Sequence, residues 1–125
     1  MGTEYLLDTN VIIDFAGKKL PFKSHLELIN IINDSSKISI INKIELLSIP
    51  EVSNRIQFFT EEAYIFPLSD DIVIKTIEIR KKRKIKLPDA IIAATAIVFN
   101  LTLITHNVSD FQNIKNLKVI DSYLL

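Results

Sequence analysis

Five oxygen-bearing side chains stand out because each sits in an apolar setting. Asp8 lies in LLDTN, Glu45 in INKIELL, Asp89 in KLPDAIIAATA, and Asn107 and Asp110 in LITHNVSDF. A solvated surface acid is less expected among such neighbours, and ionised carboxylates are rarely buried without a partner. Three or four carboxylates brought together without basic partners repel one another, and a divalent cation removes that conflict. The chain has no cysteine and only two separated histidines, His25 and His106. Hard oxygen ligands alone select Mg²⁺ or Mn²⁺ over Zn²⁺. Such an ion lowers the pKa of bound water and clamps the oxygens of a phosphodiester. Each acid also has a plain structural reading. Asp8 before Thr9 caps a helix, Glu45 in a first turn complements the helix dipole, Asp89 after Pro88 starts a helix, and Asp110 sits in a surface loop.

Positioning these groups requires an alternation of short apolar runs and longer segments of helical period. Strands are expected at Glu4–Leu7, Lys37–Ile41, Ala63–Leu68, Leu101–Ile104 and Lys118–Ile120. Between them, Asp8-Thr9 caps a helix ending at Gly17, and Pro21 opens a second. Asn42 caps a helix over Lys43–Ile49, Pro50 begins another through Phe58, Ser69 caps a long one, and Pro88 starts Asp89–Phe99. Strands such as ISII and LTLI are continuous apolar runs, the mark of parallel strands covered on both faces. The fold class is therefore α/β: a three-layer α/β/α sandwich, one domain over residues 1–125, with a mainly parallel sheet of about five strands. In such sheets ligands bind outside the carboxyl ends of the strands. Asp8, Glu45 and the Asn107–Asp110 loop meet there if strands one, two and four are neighbours. Asp89 joins them if its helix starts at that edge.

Composition narrows the rest. Apolar residues are 48% of the 125, 23 of them isoleucine, which excludes intrinsic disorder. The absence of cysteine excludes disulfide scaffolds and thiol nucleophiles and is compatible with the reducing cytoplasm expected for this chain. Lys plus Arg and Asp plus Glu both number 15, so nucleic-acid binding would have to come from a local patch. The patch is Arg80-Lys81-Lys82-Arg83-Lys84 with Lys86, either the solvated end of a helix or a phosphate track. His106 adjoins the acids and is a candidate substrate contact. Phe58, Phe59 and Phe66 read as core or as partner-binding surface. The uncharged stretch Ala90–Ser109 is broken by Thr95, Asn100, Thr102 and Thr105, so a buried helix and strand are expected and no membrane span. A receiver-like phosphoryl switch would need paired early acids and an acceptor on the middle strand, YIFPL, which has none. A metal-independent ribonuclease would need a general acid–base pair, and nothing groups that way.

Across essentially its whole length the chain resembles the PIN-domain family of metal-dependent ribonucleases, and specifically the VapC toxins of type II toxin–antitoxin pairs. LLDTNVII matches the opening hydrophobic-Asp-Thr/Ser-Asn segment, Glu45 the helical Glu after the second strand, LPDAIIAATA the Ala-rich helix, and THNVSDF the closing motif. The resemblance implies Mg²⁺ or Mn²⁺ held by Asp8, Glu45 and Asp89, with Asn107 or Asp110 in the fourth position. Thr9 and Asn10 would orient the first acid. It also implies RNA as substrate, cut to a 5′-phosphate and a 3′-hydroxyl, a homodimer, and an antitoxin seated in a groove expected between segments 25–33 and 50–59. Within the family the alternatives are an RNA-processing nuclease without an antitoxin and a catalytically silent interaction module.

Overall fold

The computed structural model describes residues 2–125. Its elements alternate as expected: β1 (Tyr5–Leu7), α1 (Thr9–Ala16), α2 (Phe22–Asp34), β2 (Lys37–Ser39), α3 (Ile40–Leu47), α4 (Asn54–Glu62), β3 (Tyr64–Phe66), α5 (Asp70–Lys82), α6 (Leu87–Val98), β4 (Thr102–Thr105) and β5 (Lys118–Asp121). Short 3₁₀ turns cover Val108–Phe111 and Ser122–Leu124. All strand pairs are parallel. β4 lies between β1 and β5, with Leu6 opposite Leu103 and Thr105 opposite Asp121, and β2 pairs with β3. The two sections meet where β2 lies alongside β1, and Lys37 reaches across to Glu4 at 2.9 Å.

Alternation along the strands builds the layers, because successive side chains leave a strand on opposite faces. Leu6 and Leu103 pack into one core with Ile72 and Ile79 of α5 and the alanines of α6. Leu7 and Ile104 pack into the other with Val11, Ile12, Leu28, Ile38 and Leu46. Helices therefore cover both faces, which is the expected three-layer α/β/α arrangement. No helix among the described residues is long and apolar enough to cross a membrane.

Three local expectations are corrected. β2 ends at Ser39 rather than Ile41, and α3 begins at Ile40 rather than after Asn42. Ser39 is the cap: its hydroxyl accepts from the Ile41 N–H at 3.0 Å, while the Asn42 carboxamide accepts from the Ser39 N–H at 2.8 Å. This reciprocal pair satisfies two donors at once, which an isolated Asn42 cap would not. The next helix starts at Asn54, not at Pro50. Ser53 caps it by accepting from Ile56 N–H, and Pro50 lies in the turn that ends α3. Finally, Gly17 closes α1 with φ −85°, and the left-handed residue is Lys18 at φ 56°.

Candidate active site

Asp8 follows β1 at the carboxyl edge of the sheet and is buried. Its carboxylate caps α1 by accepting from the Thr9 N–H at 2.8 Å, so the plain structural reading holds. It also does more. Oδ2 accepts from the Thr105 hydroxyl at 2.8 Å and from the Asn10 amide at 3.1 Å, and Oδ1 accepts from the Asn42 amide at 3.3 Å. Burial pushes this carboxyl above its ordinary value of 3.8, against the pull of those hydrogen bonds.

Glu45 comes to the same place by another route. The Asn42 amide donates to the Thr9 hydroxyl at 3.0 Å, and that hydroxyl donates to Glu45 Oε1 at 2.5 Å. Because α3 begins at Ile40, Glu45 lies in its second turn and not its first. The helix dipole fades within the first turn, so it gives little reason for an acid here.

Asp89 is in the first turn of α6 and half-buried. Its pKa is pushed up to about 6, first by burial and then by the charges of Asp8, Asp110 and Glu45, with Lys86 pulling the other way. Asp89 therefore feels the charge of the other three acids. Asn107 precedes the 3₁₀ turn that carries Asp110; its N–H donates to the Thr105 hydroxyl at 3.1 Å, and its carbonyl accepts from the Asp110 N–H at 3.1 Å.

Whether these residues suit a metal ion turns on their donor set. Among the described residues, no three carboxyl or imidazole groups stand close enough to ligate one ion as placed. The chemistry fits nonetheless: the donors are hard oxygens only, and Asp89 registers the mutual repulsion that a divalent cation would relieve.

The basic run spreads over three adjoining depressions that share Arg83. Arg80, Arg83, Lys84 and Lys86 line a cleft of about 530 Å³ together with Asp89 and Asp110. Lys81 lines a neighbouring depression without an acid together with Arg80, Arg83 and Lys84, and Lys82 a third with Arg83, Lys75 and Lys115. The Arg83 guanidinium donates to the Gln112 carbonyl, tying the end of α5 to the loop beyond Asp110. Away from the acids, an apolar groove of about 710 Å³ lies between α2 and α4, lined by Phe15, Ile32, Ile56, Phe58 and Phe59. His25 stacks on Phe15 there, 4.6 Å between ring centroids.

Two residues that hold the site are not among those the sequence marks as functional: Asn42, which reads as a helix cap, and Thr105, which reads as a polar break in an apolar stretch and a member of THNVSDF. Replacing Asn42 with Ala strips the buried Ser39 N–H and Asp8 of a partner. Stability should fall by about 1–3 kcal/mol in chemical denaturation, and any cleavage should fall by roughly 10–100-fold, as when an outer partner of a ligand is lost.

The model of the PIN domain family matches residues 5–117, so the chain belongs to that family. Solved structures similar to this chain include chains of toxin–antitoxin and VapBC complexes. A chain of a toxin–antitoxin complex from Klebsiella pneumoniae is 30% identical, with 96% of this chain and 98% of that chain covered and a TM-score of 0.76. VapBC-1 from nontypeable Haemophilus influenzae gives 29%, 96%, 98% and 0.75. VapBC2 from Rickettsia felis, bound to a DNA fragment from its promoter, gives 26%, 95%, 98% and 0.78. No curated protein matches the chain.

Proposed function

We propose that the protein is a metal-dependent endoribonuclease, the toxin of a toxin–antitoxin pair. The observation that carries this reading is the gathering of Asp8, Glu45 and Asp110 around Asp89 at the carboxyl edge of the sheet, where burial and then their charges lift Asp89 to about 6. Asp8, Glu45 and Asp89 would hold Mg²⁺ or Mn²⁺, with Asp110 favoured over Asn107 because it shares a cleft with Asp89. The bound ion would supply a nucleophile from water and neutralise charge building on the phosphodiester.

The chain's own residues do the positioning. Thr9, Asn10, Asn42 and Thr105 fix Asp8 through hydrogen bonds that leave its rotamer no freedom. Thr9 also orients Glu45. Arg80, Lys84 and Lys86 draw phosphates toward the acids, while Arg83 fixes the Asp110 loop; Lys81 and Lys82 contribute at longer range. A similar chain belongs to a toxin–antitoxin complex from Klebsiella pneumoniae, and the groove between α2 and α4 fits an apolar antitoxin segment, with Phe58 exposed on its wall. A homodimer follows the same family pattern, with exposed Ile74 and Ile77 of α5 available to cover.

The decisive experiment is cleavage of RNA by purified protein. Cutting should require Mg²⁺ or Mn²⁺ and stop with EDTA. Cutting that survives chelation, or none with either ion, overturns the reading.

A further inference from the structure

We infer that His106 and Tyr123 form a shelf on which a nucleobase of the substrate strand stacks beside the acid cluster. The inference rests on the nuclease reading and adds the form of the substrate: an unpaired stretch of RNA, since a base must leave its helix to stack on protein.

His106 is exposed yet held at its backbone, at one ring nitrogen and on one ring face. Its backbone N–H donates to Asn10 Oδ1 at 2.9 Å, and Asn10 in turn donates to Asp8. Its ring Nδ1 donates to Asp121 Oδ1 at 3.1 Å. One ring face lies on Tyr123, 3.9 Å between centroids at 25°. Tyr123 is fixed as well: its N–H donates to Asp121 at 2.9 Å, and its hydroxyl donates to Asp14 on α1 at 3.2 Å. The His106 side chain nevertheless keeps 44% of its surface open. An exposed aromatic ring with its freedom already removed binds a flat partner with little further ordering.

The surroundings favour a base over a phosphate. One of the ring's two in-plane nitrogens, Nδ1, is committed to a carboxylate, and Asp121 and Asp14 place negative charge around the pair. The cations Arg80, Lys84 and Lys86 belong to the α5–α6 side of the sheet, whereas Tyr123 packs into the opposite core with Leu7 and Ile104. A strand crossing the acids would thus set its backbone toward the cations and a base toward the rings. Phe58 and Tyr64, also exposed, line the apolar groove instead.

The test is binding of a short fluorescein-labelled single-stranded RNA in EDTA, read by anisotropy, with thermal unfolding of each variant alongside. His106→Ala and His106→Leu should each weaken binding about tenfold, as losing one base stack does, while His106→Phe stays close to wild type. Unchanged binding in all three overturns the shelf, and so does equal loss in all three, which would leave His106 only a fastener for the C-terminal segment. Wild-type protein that binds no single-stranded RNA overturns it too. Binding without cleavage on adding Mn²⁺ would overturn the nuclease reading and leave the shelf standing.

Discussion

Asp89→Asn lowers RNA cleavage by on the order of 10²-fold or more while leaving the metal-free protein at least as stable as wild type. The first effect follows because a ligand and part of the charge compensation disappear together. Metal ions supply several kcal/mol of transition-state stabilisation, and each ~1.4 kcal/mol is tenfold in rate. The second follows from the charges around Asp89. Its folded-state pKa of about 6 lies above the ordinary 3.8, so the folded protein holds this proton more tightly than the unfolded chain. The stability it contributes is full below 3.8 and is lost as pH rises through about 6. At neutral pH the ionised group is a cost, and Asp89→Asn removes it. Denaturation of metal-free protein at several pH values should therefore show wild type losing stability between about pH 4 and pH 7 more steeply than the variant. The stabilisation gained by adding Mn²⁺ should shrink in the variant. Intact cleavage with undiminished metal stabilisation would remove Asp89 from the site.

Asp8→Ala should behave differently, with activity and stability falling together. Here the carboxylate accepts from Thr9, Asn10, Asn42 and Thr105, and Asn42 and Thr105 are fully buried. Truncation leaves those donors facing a void from which water is largely excluded, and each buried unsatisfied group costs about 1–3 kcal/mol. Chemical denaturation should show a loss of roughly 2–4 kcal/mol, part of it from the lost α1 cap, and cleavage should become undetectable. The contrast is diagnostic: one acid is embedded in donors, the other is held against neighbouring acids. If both variants left stability alike, the hydrogen-bond network around Asp8 would carry less than its geometry implies.

The acids were legible in sequence because each interrupts an apolar run, a local property. Their supports were not. Asn42 reaches Asp8 and Thr9 across 34 and 33 residues, and Thr105 reaches Asp8 across 97; a polar residue in an apolar segment says nothing by itself of so distant a partner. The start of α3 was hidden for a related reason. Ser39 lies inside the β-branched run ISII, and the residue three positions on is Asn rather than the Glu or Gln that usually marks a reciprocal cap. Pro50 misled because proline suits a first helical turn, but Ser53 offers the stronger cap and Pro50 serves a turn instead. The basic run looked like one patch because its members are adjacent in sequence. Helical geometry turns each successive side chain of α5 by about 100°, and Lys81 and Lys82 do not line the cleft that Arg80, Arg83, Lys84 and Lys86 share with Asp89 and Asp110.

The long reach of the Asp8–Thr105 bond also governs when the acid cluster can assemble during synthesis. Chains emerge from the ribosome N-terminus first, at about 5–20 residues per second. The β2–β3 pair joins residues 37–39 to 64–66, and the helices between them can pack early. β1 must wait for its partner β4 at residues 102–104. Until then Asp8 lacks the Thr105 hydroxyl, Asp110 does not exist, and the edge of β1 that receives β4 is bare. A nascent chain from which residues 102–110 have not yet emerged therefore carries no assembled acid cluster. The same dependence makes folding slow for a chain of this size, because pairing strands so far apart in sequence requires closing a long loop before any contact rewards it.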